Sequence, residues 1–483
     1  MFPTLPGLWP ALLTATHLIL AIGVTMDAVL RPRHVASVLA WVGIAWLAPI
    51  IGPLLYLGFG VNRLQRAAVS FELESAWNQT GLRESATEGA IAEEEVADHF
   101  PALVGMARLG QRVTGRPLLA GNRIEPLVDG DQAYPQMLAA IHGARESLTL
   151  LTYIFDHDRT GQEFYAALVA AHRRGVLVRV LIDAVGARYG RPSTVAALRR
   201  AGVPVAAFLP VRLARPYQYL NMRNHRKILV ADGRLGFTGG MNIRDGHWLA
   251  RRPAHPVQCL HFQVEGPVVA DLQRTFAVDW AFATREILLG DTWFPELAPA
   301  GPVLARGVPD GPDADIDNLP EVLLGALQVA RERVGLVTPY FLPDETLLRA
   351  LQATAMRGVK VDIILPARNN IRIMDWAIMP QLLPLLRKGC HVHFSPAPFD
   401  HTKLLVVDGG WSLIGSTNWD ARSLRLNFEY NIECYDATLA GALLGLVDDR
   451  IHRGRRLTID TLRRRPLPIR LRDGLARLGT PYL

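Results

Sequence analysis

The sequence predicts an α/β protein of two similar lobes, each a mostly parallel or mixed sheet flanked by helices, behind an N-terminal transmembrane helical hairpin. Three observations carry this. The first sixty of the 483 residues are the most apolar stretch of the chain. Strand-like and helix-like segments then alternate, the pattern of a mostly parallel sheet. That alternation occurs twice, and each copy ends in the same six-residue spacing.

The N-terminal segment comes first. Leu8 to Leu30 holds a single acidic residue, Asp27, and Val35 to Gly60 holds no charge. Each meets the roughly 20 residues a spanning helix needs. Helices are expected over about 8–30 and 35–60, joined tightly through Arg31, Pro32, Arg33 and His34, with Pro49, Gly52 and Pro53 bending or breaking the second near its end. A secretory signal fits less well, because the first segment lacks a basic leader and its apolar run is too long. Arg31 and Arg33 in the connection balance Arg63 and Arg66 beyond it, so the positive-inside rule gives no orientation. The three cysteines, Cys259, Cys390 and Cys434, form no CxxC and are odd in number. Such usage favours a reducing compartment, hence a cytoplasmic body on an inner membrane crossed more than once.

Residues 61–120 read as a polar, partly helical linker, with Glu93–Glu95 at its most acidic point. The first lobe is expected over 121–295. In it Ser147–Phe155 reads as a buried strand, Gly161–Arg174 as a helix and Val176–Asp183 as a β-branched strand. A helix near Ser193–Ala201 and a strand near Val203–Phe208 follow. The second lobe, over 296–449, repeats this: Arg333–Phe341 matches Ser147–Phe155, a helix follows at Asp344–Arg357, and Arg357-Gly358 opens a strand as Arg174-Gly175 does. A repeat of this length exceeds a solenoid unit and fits two packed lobes. Residues 450–483 form a basic tail.

The repeated spacing is His-x-Lys-x(4)-Asp-x(6)-Gly-(Gly/Ser)-x-Asn. Its copies are His225, Lys227, Asp232, Gly239, Gly240, Asn242 and His401, Lys403, Asp408, Gly415, Ser416, Asn418, at a constant offset of 176 residues. Two of the chain's four lysines fall at the same place in the two copies. Side chains alternate along a strand, so each His shares a face with its Lys. A single His-x-Lys is usually a solvated strand face, and a single Asp-Gly a turn; the duplication points to a site. Imidazole, ammonium, amide and exposed backbone N–H groups suit a phosphoryl group. One neutral His can attack phosphorus while a second protonates the leaving oxygen. The catalytic set is thus His225, Lys227, Asp232, His401, Lys403 and Asp408, with Asn242, Asn418, Gly240 and Ser416 at the phosphate. No carboxylate cluster implies a metal, and no cofactor is implied.

These residues resemble the phospholipase D superfamily and, within it, the bacterial cardiolipin synthases. The likeness runs nearly end to end, through LAWVGIAWLAPIIGPLLYLGFG, GNRIEPLVDG, LTYIFDHDRTG, RNHRKILVADG and GSTNWDARSLRLNFEYN to the terminal ARLGTPYL. The resemblance implies a phosphatidyl-histidine formed from phosphatidylglycerol, whose phosphatidyl group passes to a second phosphatidylglycerol to give cardiolipin and glycerol. It implies His225 as nucleophile, His401 as acid and base, and Lys227, Lys403, Asn242 and Asn418 around the phosphate. In this superfamily a carboxylate orients a motif His, and Glu429 stands in the right place. Aligning the lobes matches Glu429 with Cys259, where the family has Asp. A thiol is a weak partner for imidazolium, so His225 is expected to be less well oriented, and His401 the better-poised base.

Water or phosphatidylethanolamine could replace the second phosphatidylglycerol, and the first of these would make a lipase that releases phosphatidic acid. A phosphodiesterase or nuclease uses the same motif. Charge argues against nucleic acid as partner. The chain carries +7 overall, but Arg450–Leu483 holds ten Arg and two Asp, which leaves the remainder at −1. A nuclease groove should be basic. A purely binding protein would have lost a motif His or Lys, and none is lost. The tail reads either as a contact with anionic lipid or as a solvated helix packed on the second lobe. Tyr153 and Tyr340 are candidates for a lipid channel or for the core, and Trp248, Trp411 and Trp419 for a membrane interface or for packing beneath the site. Asp420 and Arg422 are expected to pair.

Overall fold

Leu8–Leu30 forms one uninterrupted helix, α1. At 1.5 Å per residue it is about 35 Å long, enough to cross a bilayer's hydrocarbon core. The computed structural model describes residues 8–30, 35–60, 86–188, 193–210, 222–313 and 315–480. Among these, α1 is the one helix long and apolar enough to cross a membrane. The return segment corrects the expectation of a second spanning helix. Helix α2 ends after 13 residues, Val35–Leu47, about 20 Å and short of that core. A turn follows, with Ile50 at φ 63°, then a short helix α3, Ile51–Leu55, and a π-turn, Tyr56–Gly60. Pro49 and Pro53 supply no N–H to a continuing helix. Gly52 packs so tightly that a Cβ would lie 2.2 Å from the Ile44 carbonyl oxygen. Trp46 Nε1 donates to Thr25 Oγ1 at 3.0 Å and Tyr56 Oη to the Asp27 carboxylate at 2.5 Å, so the one acid of α1 is satisfied from the return segment. The connection through Arg31–His34, and Arg63 and Arg66, lie outside the described residues. These helices form a unit separate from the body that follows.

In the body's first half the strands are β1 (Leu119–Val128), β2 (Ser147–Thr152), β3 (Leu177–Asp183), β4 (Val205–Phe208), β5 (Arg223–Asn224), β6 (Ile228–Ala231), β7 (Leu235–Gly239), β8 (Val257–Gln258) and β9 (Leu260–Glu265). The second half holds β10 (Val303–Asp310), β11 (Arg333–Val337), β12 (Phe341–Leu342), β13 (Lys360–Pro366), β14 (His391–Ser395), β15 (Phe399–Asp400), β16 (Leu404–Val407), β17 (Trp411–Gly415), β18 (Trp419–Asp420), β19 (Asn427–Tyr435) and β20 (Arg455–Arg456). One sheet runs through both: β4-β3-β2-β6-β7-β9-β1 meets β10-β19-β17-β16-β11-β13-β14, with β20 at the far edge. Along this path three strands of each half run parallel, β2-β3-β4 and β11-β13-β14, and the other pairings are antiparallel. The two halves join where β1 pairs antiparallel with β10.

The repeated sequence signals have local causes. The helices Arg159–Arg173 and Glu345–Met356 are capped by Asp158 and Asp344, which accept from Gly161 N–H and Leu347 N–H. Gly175 and Gly358, both at φ 93°, end them. The Arg before each glycine reaches back to cap the preceding helix. Arg174 donates to the carbonyls of Ile141, His142 and Ala144, and Arg357 to those of Leu327, Gln328 and Ala330.

From Ala86 onward, the stretch expected as a linker joins the body instead. Its helices Ala86–His99 and Val104–Thr114 bury Ala92, Val96, Met106 and Ala107 in the second half's core, because their apolar residues recur at helical spacing.

Asp232 and Asp408, expected in the catalytic set, are turn residues at the end of the strand remote from the histidines. At φ 52° and 50°, each begins an Asp-Gly turn between two strands. Their carboxylates accept the N–H groups of Arg145, Glu146 and Ser147, and of Arg331, Glu332 and Arg333. They fix where β2 and β11 begin. Asp408→Ala is expected to cost about 2 kcal/mol of stability, read as a lower calorimetric Tm in detergent, with Asp408→Asn milder. An unchanged Tm would contradict this role.

Candidate active site

Each motif His follows a two-residue strand that pairs with the opposite lobe. β5 runs parallel to the start of β19, and His225 N–H donates to Phe428 O at 2.8 Å. β15 runs parallel to β8, and His401 N–H donates to Gln258 O at 2.7 Å. The partner of each ring therefore comes from the other lobe. His225 Nδ1 lies 3.0 and 3.1 Å from the two Glu429 carboxylate oxygens, and His401 Nδ1 lies 3.0 Å from the Gly240 carbonyl oxygen. Carbonyl and ionised carboxylate only accept, so each ring carries its proton on Nδ1 and keeps the Nε2 lone pair. The ring centroids are 6.4 Å apart.

This crossing overturns one expectation. The alignment of Cys259 with Glu429 holds in register, since Gly239 faces His261 and Gly415 faces Asn431, each two residues further on. But Glu429 serves His225, and Cys259 lies beside His401, with Sγ 3.3 Å from the His401 carbonyl oxygen. His225 has the carboxylate and His401 does not.

Gly240 and Ser416, expected at the phosphate, direct their own hydrogen bonds into the protein. Their N–H groups are tied to Leu260 O and Tyr430 O. Ser416 Oγ donates to Glu429 at 2.5 Å and accepts from Tyr430 N–H at 3.1 Å. A Cβ on Gly240 would stand 2.5 Å from Cys259 Sγ and 2.9 Å from His401 O, so only glycine fits there.

Lys227 and Lys403 are buried, and each ammonium donates to the carbonyl of its own motif His. The two asparagines differ. Asn242 Oδ1 accepts from Ile154 N–H at 3.2 Å, which leaves its amide NH₂ for a ligand. Asn418 donates its NH₂ to Ser423 Oγ at 3.0 Å. Asp420 also binds Ser423, accepting its N–H at 2.7 Å, and the Arg422 charge draws on the same carboxylate against the effect of burial.

Burial governs the electrostatics. It pushes His225 down to about 4, against the pull of Glu429. It lowers Lys227 to about 7 and Lys403 to about 8. Burial, then Lys403 and His247, hold His401 well below the usual imidazole range. Burial opposes charge on Glu429, yet His225, Lys227 and Ser416 outweigh it and keep this carboxyl below its ordinary value. Burial thus outweighs the carboxylates around the two lysines and two imidazoles, an arrangement that favours an incoming anion.

Aromatic rings wall the site. Tyr153 lies 5.3 Å from His225, and Phe399 and Tyr340 lie 5.9 and 6.2 Å from His401. The tryptophans pack: Trp411 and Trp419 are buried, and Trp248 lies against Tyr134 and Arg251. The sequence reading missed His247. Its ring is 6.1 Å from His401, buried, with Nδ1 lacking a partner among the described residues. A histidine five residues past the motif Asn was the one available signal.

A family model described as cardiolipin synthase, phospholipase D-like domain, matches residues 137–280 and 323–447. Cardiolipin synthase A of Pseudomonas putida is 32% identical, the match covering 99% of each chain. A cardiolipin synthase of Geobacillus kaustophilus is 30% identical over 99% of this chain and 94% of that one. The fold is similar to the crystal structure of phosphatidylserine synthase from Haemophilus influenzae, with a TM-score of 0.63 at 16% identity over 78% of this chain and 100% of that one. With more than half of its length inside the matched regions and relatives matching end to end, the chain belongs to the cardiolipin synthase family of phospholipase D-like proteins.

Proposed function

We propose that this chain is a membrane-bound phosphatidyltransferase that makes cardiolipin and glycerol from two phosphatidylglycerol molecules. The observation that carries the reading is the pair of Nδ1-protonated histidines, 6.4 Å apart between two buried lysines, in a chain of this family. His225 Nε2 attacks phosphorus, and the bond from phosphorus to the headgroup glycerol oxygen breaks. His401 gives that oxygen a proton, and glycerol leaves. The glycerol hydroxyl of a second phosphatidylglycerol then passes its proton to His401 and attacks the phosphoryl group. The P–N bond breaks, releasing cardiolipin and restoring His225.

The two lobes suit the two roles. Glu429 stabilises the positive charge that His225 gains on attack. His401, held by a neutral carbonyl, binds a proton more weakly and is the stronger acid once protonated. A phosphodiester between the rings supplies the negative charge that favours that proton. Lys227, Lys403 and the Asn242 amide bind the phosphoryl oxygens. We further assign α1 to the membrane, with the broken return helix entering beside it. The body belongs on the cytoplasmic side, in keeping with three free, buried thiols.

The direct test supplies purified protein with phosphatidylglycerol vesicles and reads products by mass spectrometry. Cardiolipin with equimolar glycerol is expected; phosphatidic acid alone would make water the acceptor, and no turnover would refute the reading. Glu429→Gln should lower kcat by about 10²–10⁴-fold, while Cys259→Ala stays within a few-fold because the Gly240 carbonyl still holds His401. Equal losses in the two variants would reverse the assignment of roles. The pH dependence follows from the lysines. Their charge is present below about pH 7 and is lost as pH rises through about 7 for Lys227 and about 8 for Lys403. Since kcat/KM reports the free enzyme, it should fall through that window while kcat falls less. A kcat/KM flat to pH 9 would contradict this.

A further inference from the structure

The basic tail ends in a helix whose two faces differ in chemistry. Leu467–Arg477 packs one side on the helix Arg372–Arg387. Ala476 and Asp473 are buried there. Asp473 receives Arg465 at 2.7 Å and Arg472 at 2.8 Å, and the Arg472 guanidinium lies 4.5 Å over the Trp376 ring. These contacts fix the rotation of the helix about its axis.

The other side is apolar and bare. Leu467, Leu471, Leu475 and Leu478 are 64%, 59%, 68% and 77% exposed. Steps of four, four and three residues place them within an arc of about 80°, a stripe that a water-facing helix does not normally present. Charge brackets it. Arg470 and Arg477 flank one side and Arg472 the other, all exposed, and exposed Arg463 and Arg464 precede the helix. Its one acidic residue, Asp473, is buried and paired, so no negative charge faces outward.

We propose that this helix lies in the headgroup layer of an anionic bilayer, its leucines at the acyl boundary and its arginines on lipid phosphates. The combination is that of an interfacial helix, apolar on one face with cationic flanks. A second copy of the chain would set like-charged arginine rows against each other, so the charge favours lipid. This contact concerns where the body sits, and it holds whichever acceptor the active site uses.

The test uses the full-length chain with Leu471→Cys carrying an environment-sensitive fluorophore. The three native thiols are buried, so the label goes to position 471, and the replaced leucine is outside the core. In bilayer discs containing phosphatidylglycerol, emission should shift to the blue and aqueous iodide quenching should fall about fivefold relative to phosphatidylcholine discs. Adding Arg470→Gln and Arg477→Gln should shrink that difference. Equal quenching in the two lipids would overturn the proposal. So would shielding in detergent that grows with protein concentration, which would mark a second copy as the partner.

Discussion

The structure depends on two short exchanges of backbone between lobes. The segment before each motif histidine leaves its own sheet and pairs with a strand of the other, through His225 N–H to Phe428 O and His401 N–H to Gln258 O. Arg226 bolts this crossing. It sits between His225 and Lys227 and points to the opposite face, as strand alternation requires. Its guanidinium is fully buried, paired with Asp279 at 2.8 Å, and donates to the carbonyls of Glu429 and Asp310. A buried charge is tolerated only with such complete pairing. Asp279 belongs to one lobe, and Glu429 and Asp310 to the other, so this one side chain ties both to the strand that presents His225.

Crossing makes a duplicated motif asymmetric in effect. At equivalent positions one lobe has Ser416 with Glu429 and the other Gly240 with Cys259. Ser416 aims the carboxylate at His225. Gly240 leaves no room for a side chain and offers its carbonyl to His401 instead. Two rings with the same tautomer thus face different electrostatic partners, one a full negative charge and one a dipole. That difference suits a two-step transfer, in which one imidazole bears a bond to phosphorus and the other only moves a proton.

The chain's charge divides along the same functional lines. The near-neutral body concentrates cations where two lysines and two histidines converge, and burial makes them responsive to an incoming anion. The surplus arginines stand on the terminal segment, around leucines that the body leaves uncovered. Net charge on the whole chain conveys neither fact, because a few buried ammonium groups and a solvated basic helix act on different anions.

Local chemistry made much of the molecule legible in the sequence. The repeated alternation of strands and helices, the capping Asp, the Arg-Gly pairs and the His-x-Lys faces follow from period, capping and alternation, which act over a few residues. The long first helix and the break near Pro49, Gly52 and Pro53 were legible by composition, while the end of α2 at Leu47, too early for a second span, came with the close packing of Gly52 on Ile44. What the sequence could not convey was which lobe completes which site. Cys259 and Glu429 were correctly matched as equivalents, yet each serves the other lobe's histidine. The Asp-Gly turns were legible in the motif, but not that their carboxylates hold the backbone N–H groups at the start of β2 and β11. His247 reaches His401 from a loop with no periodic signal. Spacing along the chain determines which residues share a face of one strand; only the pairing of distant strands decides which faces meet, because those hydrogen bonds join residues about 140 to 200 positions apart.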